Sequence, residues 1–91
     1  MTKVVVYTGN YCGYCVRAKR LLDARGISFE EINLDRSAPE LRAELVARTG
    51  QRTVPQIFVG STHVGGSDEL SALDRAGGLE ELLSREGVPR D

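Results

Sequence analysis

Apolar positions change their spacing several times along this chain, and each change marks an element. Lys3 to Thr8 (KVVVYT) is a β-branched and aromatic run with little alternation. A run of that length suits a central strand buried on both faces. Gly9-Asn10 breaks it. From about Gly13 to Arg25 the spacing becomes helical. Cys15, Ala18, Leu22 and, offset, Leu21 share one face, with Arg17, Arg20 and Asp23 between them. Gly26 is placed to end this helix as its C′ residue. Ser28 to Leu34 (SFEEINL) reads as a second strand, with Phe29, Ile32 and Leu34 as its apolar positions. Strand, helix and strand make a βαβ unit, so these two strands are expected to be parallel.

The second half changes character. Ser37-Ala38-Pro39-Glu40 is a helix start, with Ser37 as the cap and Glu40 three residues on, as in a capping box. Pro39 is tolerated in the first turn. Leu41, Leu45 and Val46 give the buried face, and Gly50 ends the helix near Thr49. Gln51 to Val59 passes through Pro55, which stands at the start of an apolar strand where its missing N–H does least harm. Gly60-Ser61 reads as a tight turn and Thr62-His63-Val64 as a short return strand. Ser67 or Asp68 is expected to cap a helix through Leu70, Leu73 and Ala76. Gly77-Gly78 separates a last helix, Leu79 to Arg85, with Leu79, Leu82 and Leu83 inward, and Gly87 to Asp91 are expected to fray. The predicted fold is α/β, a four-stranded mixed sheet flanked by helices in the order β-α-β-α-β-β-α plus a short C-terminal helix.

With 91 residues the chain is expected to form a single domain, 1–91, around one modest core. A net charge of −1 leaves no electrostatic footprint for nucleic acid or an anionic membrane. No apolar run approaches the roughly 20 residues that span a bilayer. The stretch after Met1-Thr2-Lys3 is too short for a signal peptide, so a cytoplasmic location is expected. In that compartment a C-x-x-C is more often catalytic than structural.

That motif is the chemical centre of the sequence. Cys12 and Cys15, in Tyr11-Cys12-Gly13-Tyr14-Cys15-Val16-Arg17, are the only two cysteines. Their spacing fits one helical turn, so the pair can close into a disulfide or open into two thiols. At a helix start, Cys12 lies near unpaired backbone N–H groups and the positive end of the helix dipole. Both favour thiolate over thiol and make Cys12 the attacking sulfur. Cys15, one turn in and less exposed, becomes the resolving thiol. Arg17, Lys19 and Arg20 follow and can add to the positive field. A structural zinc needs four ligands, and two Cys with the single histidine, His63, do not supply them. A static disulfide closing so short a loop would stabilise least. A redox dithiol is the reading that remains.

The order of elements is that of the thioredoxin superfamily, and the motifs narrow it. The chain resembles the small bacterial dithiol glutaredoxins over nearly its whole length. The matching segments are Tyr7-Thr8, Cys12-x-x-Cys15 with Tyr14 and Arg17-Ala18-Lys19, Thr53-Val54-Pro55-Gln56-Ile57-Phe58, His63-Val64-Gly65-Gly66-Ser67-Asp68, and Leu73-x-x-x-Gly77-Gly78-Leu79. Thioredoxin itself is disfavoured, because the Trp-Cys-Gly-Pro-Cys signature is absent and the chain has no Trp.

The resemblance implies a thioredoxin-like fold. It also implies a glutathione-dependent thiol-disulfide oxidoreductase that reduces glutathionyl mixed disulfides and protein disulfides through Cys12 and Cys15. Glutathione would be reductant and co-substrate, and glutathionylated or disulfide-bonded proteins the partners, with no nucleic acid and no membrane. In such proteins the bond matching Val54–Pro55 is cis, which turns the Val54 N–H and C=O to pair with the glutathione cysteine like an added strand. Thr53 supports the same loop. The γ-glutamyl carboxylate would sit on N–H groups near Ser67 and Asp68. The Asp68 carboxylate would hold the ammonium, Tyr14 would line the groove, and Gln51 or a nearby Arg would meet the glycyl carboxylate. Structural roles compete for some of these residues: Asp68 as a helix cap, His63 as a strand-end residue, Arg48 and Arg52 as solvated charges.

Two departures from the family pattern carry consequences. Gly13 replaces the proline of the usual Cys-Pro-Tyr-Cys, and Gly9 stands where many relatives have a lysine for the glycyl carboxylate. Relatives with a small residue matching Gly13 include dimers that hold a [2Fe-2S] cluster through the first cysteine of each chain and two glutathiones. The resemblance therefore implies a metal-free monomer, with a homodimer bridged through Cys12 and acting as cluster carrier or redox sensor as the alternative. A redoxin served by thioredoxin reductase is a third reading, against which Asp68 and a two-ended glutathione site argue.

Overall fold

In the computed structural model, which describes residues 3–88, the apolar run becomes strand β1, Val4–Thr8. It is followed by helix α1 (Gly13–Ala24), β2 (Phe29–Asn33), a 3-10 turn (Leu34–Arg36) and α2 (Pro39–Thr49). Then come β3 (Gln56–Val59), β4 (Thr62–Gly65), α3 (Ser67–Arg75) and α4 (Gly78–Arg85). The strands lie in the order β2-β1-β3-β4. β1 runs parallel to β2, with Val4 opposite Phe29, and antiparallel to β3, with Val4 opposite Val59. β3 and β4 form the antiparallel hairpin. The mixed four-stranded sheet and its parallel βαβ half are as the hydrophobic pattern predicts.

Alternate residues of a strand face opposite sides of its sheet, and two cores follow from that. Val4, Val6, Ile57 and Val59 pack with Ala18, Leu22, Leu70, Leu79, Leu82 and Leu83 under α1, α3 and α4. Tyr7 and Phe58 pack with Leu34 and Leu45 under α2. The Tyr7 and Phe58 rings meet edge to face, centroids 5.8 Å apart. Burying β1 on both faces anchors its C-terminal end, and the cysteine turn leaves from there.

Gly26 ends α1 with φ 69°. The Ile27 N–H reaches Leu22 O at 2.9 Å and the Gly26 N–H reaches Asp23 O at 3.1 Å, a Schellman close. The same close recurs at the far end: Val88 N–H donates to Leu83 O at 2.9 Å and Gly87 N–H to Ser84 O at 3.2 Å. Gly87 and Val88 therefore do not fray, and Val88 is buried in the main core. The remainder of the segment expected to fray, 89–91, lies outside the described residues.

Two helix caps are corrected. The 3-10 turn is new, and it explains why Ser37 does not cap α2. The Ser37 hydroxyl turns back to donate to Asn33 O at 2.7 Å, so Ala38 becomes the N-cap and no Ser37–Glu40 capping box forms. Pro39 takes the first helical position. At α3 neither Ser67 nor Asp68 is the cap. Gly66 is, and the Glu69 carboxylate accepts its N–H at 2.7 Å. Ser67 and Asp68 move one and two places into the first turn.

Candidate active site

Cys12 sits at the N-cap of α1 with an extended backbone, φ −106° and ψ 105°. Tyr11 before it has φ 56°, a left-handed conformation that turns the chain out of β1 and into the helix. The Cys12 Sγ accepts the backbone N–H of Cys15 at 3.2 Å. Its thiol also faces the carbonyl of Val54, with Sγ 3.7 Å from the oxygen. Both thiols are free, Cys12 partly exposed and Cys15 only 2% exposed. Burial, and next the hydrogen bond with Cys12, push the Cys15 thiol up to about 12; the Gly9 backbone and Lys19 pull the other way. The two sulfurs thus have different chemistry: one is reachable and served by an N–H donor, the other is buried and held protonated.

Tyr11, Tyr14 and Val16 are the large apolar side chains exposed among the described residues, at 105%, 57% and 42%. All three lie within four residues of Cys12 in sequence, so apolar side chains are exposed close to the accessible sulfur. The Arg17 guanidinium lies 5.8 Å from the Tyr14 ring centroid.

The Val54–Pro55 bond is cis. Pro55 and Gln56 are buried, while Gln51 and Thr53 are exposed. Gln56, which the pattern reading passed over, ties this loop together. Its Nε2 donates to Gln51 O and to Thr53 O, both at 3.0 Å. An amide directly after Pro55, at the head of an apolar strand, was the available signal. The start of α3 abuts the same loop, since a Cβ on Gly66 would stand 3.5 Å from Pro55 O. Ser67 is buried and Asp68 exposed there. Cys12, Cys15 and Val54 are thus brought into direct contact. Tyr14 joins them through its place in α1. Gln51, Thr53, Ser67 and Asp68 are held on the adjoining loop and helix start.

The loop between β1 and α1 is strapped to the 3-10 turn. Asn10 N–H donates to Asp35 Oδ2 at 2.7 Å, and Arg42 donates to Asp35 Oδ1 at 2.9 Å. A Cβ on Gly9 would lie 3.0 Å from Asp35 Oδ2 and 3.3 Å from Val54 Cγ2. Behind the cysteines, the Thr8 hydroxyl donates to Glu31 Oε2 at 2.7 Å, and Lys19 Nζ reaches Glu31 Oε1 at 3.1 Å. The Thr8 hydrogen bond, then Lys19, hold the Glu31 carboxyl below the ordinary range. Arg48 is not a bare solvated charge, because its guanidinium covers the Phe58 ring at 4.9 Å. His63 lies on the β4 hairpin with its ring 4.9 Å from that of Phe58.

These features match a known group of proteins. A glutaredoxin family model matches residues 4–64. Over 84 residues the chain is 57% identical to a glutaredoxin of Pseudomonas aeruginosa, covering 92% of this chain and 99% of that protein. The chain belongs to the glutaredoxin family. It is a thiol-disulfide oxidoreductase on a thioredoxin-like fold. Glutaredoxin 3 of Escherichia coli is 49% identical over 83 residues, covering 91% of this chain and 99% of its own. Among solved glutaredoxins, the buckwheat glutaredoxin–glutathione complex aligns with a TM-score of 0.88 at 39% identity, covering 96% of this chain and 81% of that one. The holo form of glutaredoxin C1 from Populus tremula x tremuloides aligns at 0.87 with 34% identity, covering 99% and 83%. Among the described residues no group of three or more His, Cys, Asp and Glu is placed to hold a metal ion, and no helix is long and apolar enough to cross a membrane.

Proposed function

We propose that this glutaredoxin reduces glutathionyl mixed disulfides and protein disulfides with glutathione, with Cys12 as nucleophile and Cys15 as resolving thiol. The observation that carries the reading is the unequal pair. The accessible Cys12 Sγ takes the Cys15 N–H at 3.2 Å at a helix start, while Cys15 is buried behind it. An N–H donor and the N-terminal end of a helix dipole suit a sulfur that carries negative charge during the reaction.

The Cys12 thiolate attacks the substrate disulfide, forms a new S–S bond and releases the other sulfur as a thiol. With a glutathionylated substrate, a second glutathione attacks the Cys12 mixed disulfide and leaves as oxidised glutathione. With a protein disulfide, Cys15 attacks Cys12 Sγ, and the resulting disulfide is reduced by two glutathiones. Glutathione lies along Val54, whose backbone pairs with its cysteine as an added strand would, supported by Thr53 and Pro55. Its γ-glutamyl carboxylate meets the N–H groups of Ser67 and Asp68, the first two positions of α3, and its ammonium the Asp68 carboxylate. Tyr14 flanks the peptide, and Gln51 meets the glycyl end. The buckwheat glutaredoxin solved with glutathione supports this reading. A reducing cytoplasm, where glutathione is abundant, fits the free dithiol.

The test is turnover of a glutathione mixed disulfide with glutathione, glutathione reductase and NADPH. The wild type should turn over and Cys12→Ser should not. Wild-type turnover that needs no glutathione, or activity surviving in Cys12→Ser, would overturn the assignment.

A second reading is favoured by Gly13, beside which a Cβ would meet nothing within 4 Å. The chain presents one accessible thiol, and a [2Fe-2S] cluster takes four ligands. Two chains would each supply Cys12 and two glutathiones the rest, in a bridged homodimer. Anaerobic reconstitution should then give a visible chromophore and a dimer, lost in Cys12→Ser and kept in Cys15→Ser. A colourless monomer would rule it out.

A further inference from the structure

A cleft of about 420 Å³ opens beside the two cysteines, and Lys19, Glu31, Asn33 and Arg36 line it with Cys12 and Cys15. None of the residues assigned above to glutathione, Cys12 apart, lines this cleft. Lys19 stands four residues after Cys15 on α1, the spacing that puts two side chains on one helix face. It stands seven residues after Cys12, about two turns further along the helix. Its ammonium is fixed in place. Both Glu31 oxygens hold it, at 3.1 and 3.2 Å, and the Thr8 hydroxyl braces the same carboxylate at 2.7 Å.

The charged groups around Cys15 come from several elements. Cys12 comes from the helix start, Lys19 from α1, Glu31 from β2 and Arg36 from the 3-10 turn. Asp35 is engaged by Asn10 and Arg42, and Asp74 of α3 pairs with Arg25 at the far end of α1. Glu31 is a poor base here, since Thr8 and Lys19 favour its ionised form. The Lys19 ammonium has no lone pair to accept a proton. What this arrangement supplies at Cys15 is positive charge, with solvent in the cleft to take the proton.

We propose that Lys19, pinned by Glu31 and Thr8, is a positioning residue that stabilises the Cys15 thiolate in the resolving step and so sets the rate of the two-cysteine reaction. The inference rests on the nucleophile and resolver roles assigned above. In the step, Cys15 gives its proton to water in the cleft and its Sγ attacks Cys12 Sγ. The S–S bond between Cys12 and the substrate breaks, and the substrate sulfur leaves as a thiolate that solvent protonates. The dithiol loses two electrons and the substrate disulfide gains them.

Stopped-flow reaction with a chromogenic aryl disulfide reads both sulfurs in one trace and needs no glutathione. The first release of aryl thiolate reports attack by Cys12, and the second, first-order release reports Cys15. Cys15→Ser should lack the second phase, and its persistence there would overturn the assignment of that phase. Lys19→Met should lower the second rate relative to the first about tenfold, equivalent to about one pH unit along the profile of the second phase. Lys19→Gln should match it, and Lys19→Arg should restore the ratio to within about threefold of wild type. An unchanged ratio in both neutral variants, or no rescue by Lys19→Arg, overturns the proposal. A failure of the glutathione reading would appear only in the coupled assay and would leave this trace unaltered.

Discussion

Replacing Gly13 by proline should stabilise the reduced protein without moving the cysteines. Gly13 is the first residue of α1, where the N–H has no intrahelical partner and the proline φ is already helical. The added ring meets open space, since a Cβ built there finds nothing within 4 Å. The residue before a proline must be extended, and Cys12 is, at φ −106° and ψ 105°. That ψ falls slightly short of the roughly 120–160° window preferred before proline, so a small adjustment will absorb some of the gain. Removing glycine and adding proline both narrow the unfolded ensemble, each by about 0.4–1 kcal/mol. After the adjustment a net gain of about 1 kcal/mol is expected, which raises Tm by about 4–8 °C in a domain of this size. Calorimetry of both proteins under reductant measures it. An unchanged or lower Tm would show that Gly13 is used for more than filling a tolerant position.

Three further outcomes follow from the same geometry. Cys15→Ser should keep turnover of glutathionyl mixed disulfides and lose reduction of protein disulfides, and equal loss of both would sink the division of labour. Stability should also fall with alkali in a way that the same variant lacks. Because the folded Cys15 thiol is pushed up to about 12, the unfolded chain releases this proton first. The contribution is intact below about pH 9 and is lost as pH rises toward the folded value, by at most about 4 kcal/mol. Urea unfolding of wild type and Cys15→Ser under reductant at several alkaline pH values measures it, and parallel curves would refute it. Gly9→Ala should destabilise by about 1–3 kcal/mol, because its Cβ would press on Asp35 and Val54 at 3.0 and 3.3 Å. A neutral result in thermal unfolding would mean that the strap yields freely.

What was legible in the sequence was what period and punctuation encode. The buried run at Val4–Thr8, the helical face Cys15-Ala18-Leu22 and the glycine at position 26 each depend on neighbours in the chain, and each forms as read. The caps at Ser37 and Ser67 misled for a shared reason. A hydroxyl next to a helix start has several carbonyls and N–H groups in reach, and local sequence does not rank them. At Ser37 the 3-10 turn takes the hydroxyl, and at α3 the longer Glu69 side chain reaches back to Gly66 N–H. Val88 looked like a tail because its partner, the helix-end carbonyl of Leu83, is a backbone group with no sequence signature. The cysteines were legible because two thiols three residues apart have few other uses. Their tuning was not. Lys19, Glu31 and Thr8 come from three elements and meet only when β1, β2 and α1 are assembled.

The same logic accounts for Gly9. Taken against the family pattern it is a missing lysine, a loss at the glycyl end of the glutathione site. In the fold it is a point of close approach. Asp35 holds the loop before Cys12 through Asn10 N–H at 2.7 Å, and Arg42 holds Asp35 at 2.9 Å. The chain at Gly9 passes between that carboxylate and the Val54 side chain, so the two loops that meet at Cys12 are packed against each other through a residue with no Cβ. Val54 O lies 3.7 Å from Cys12 Sγ, so anything that widens this gap also moves the carbonyl that faces the sulfur. A lysine introduced at position 9 would bring a favourable charge beside Asp35, but only by displacing that carboxylate from the Asn10 N–H it now accepts. The exposed Asn10 N–H would then turn to water, and the lost hydrogen bond costs about 0.5–1.5 kcal/mol, which offsets the about 0–1 kcal/mol that an exposed ion pair returns. Gly9 and Asp35 are therefore one structural solution, and exchanging the glycine alone would weaken the support on which the position of Cys12 depends.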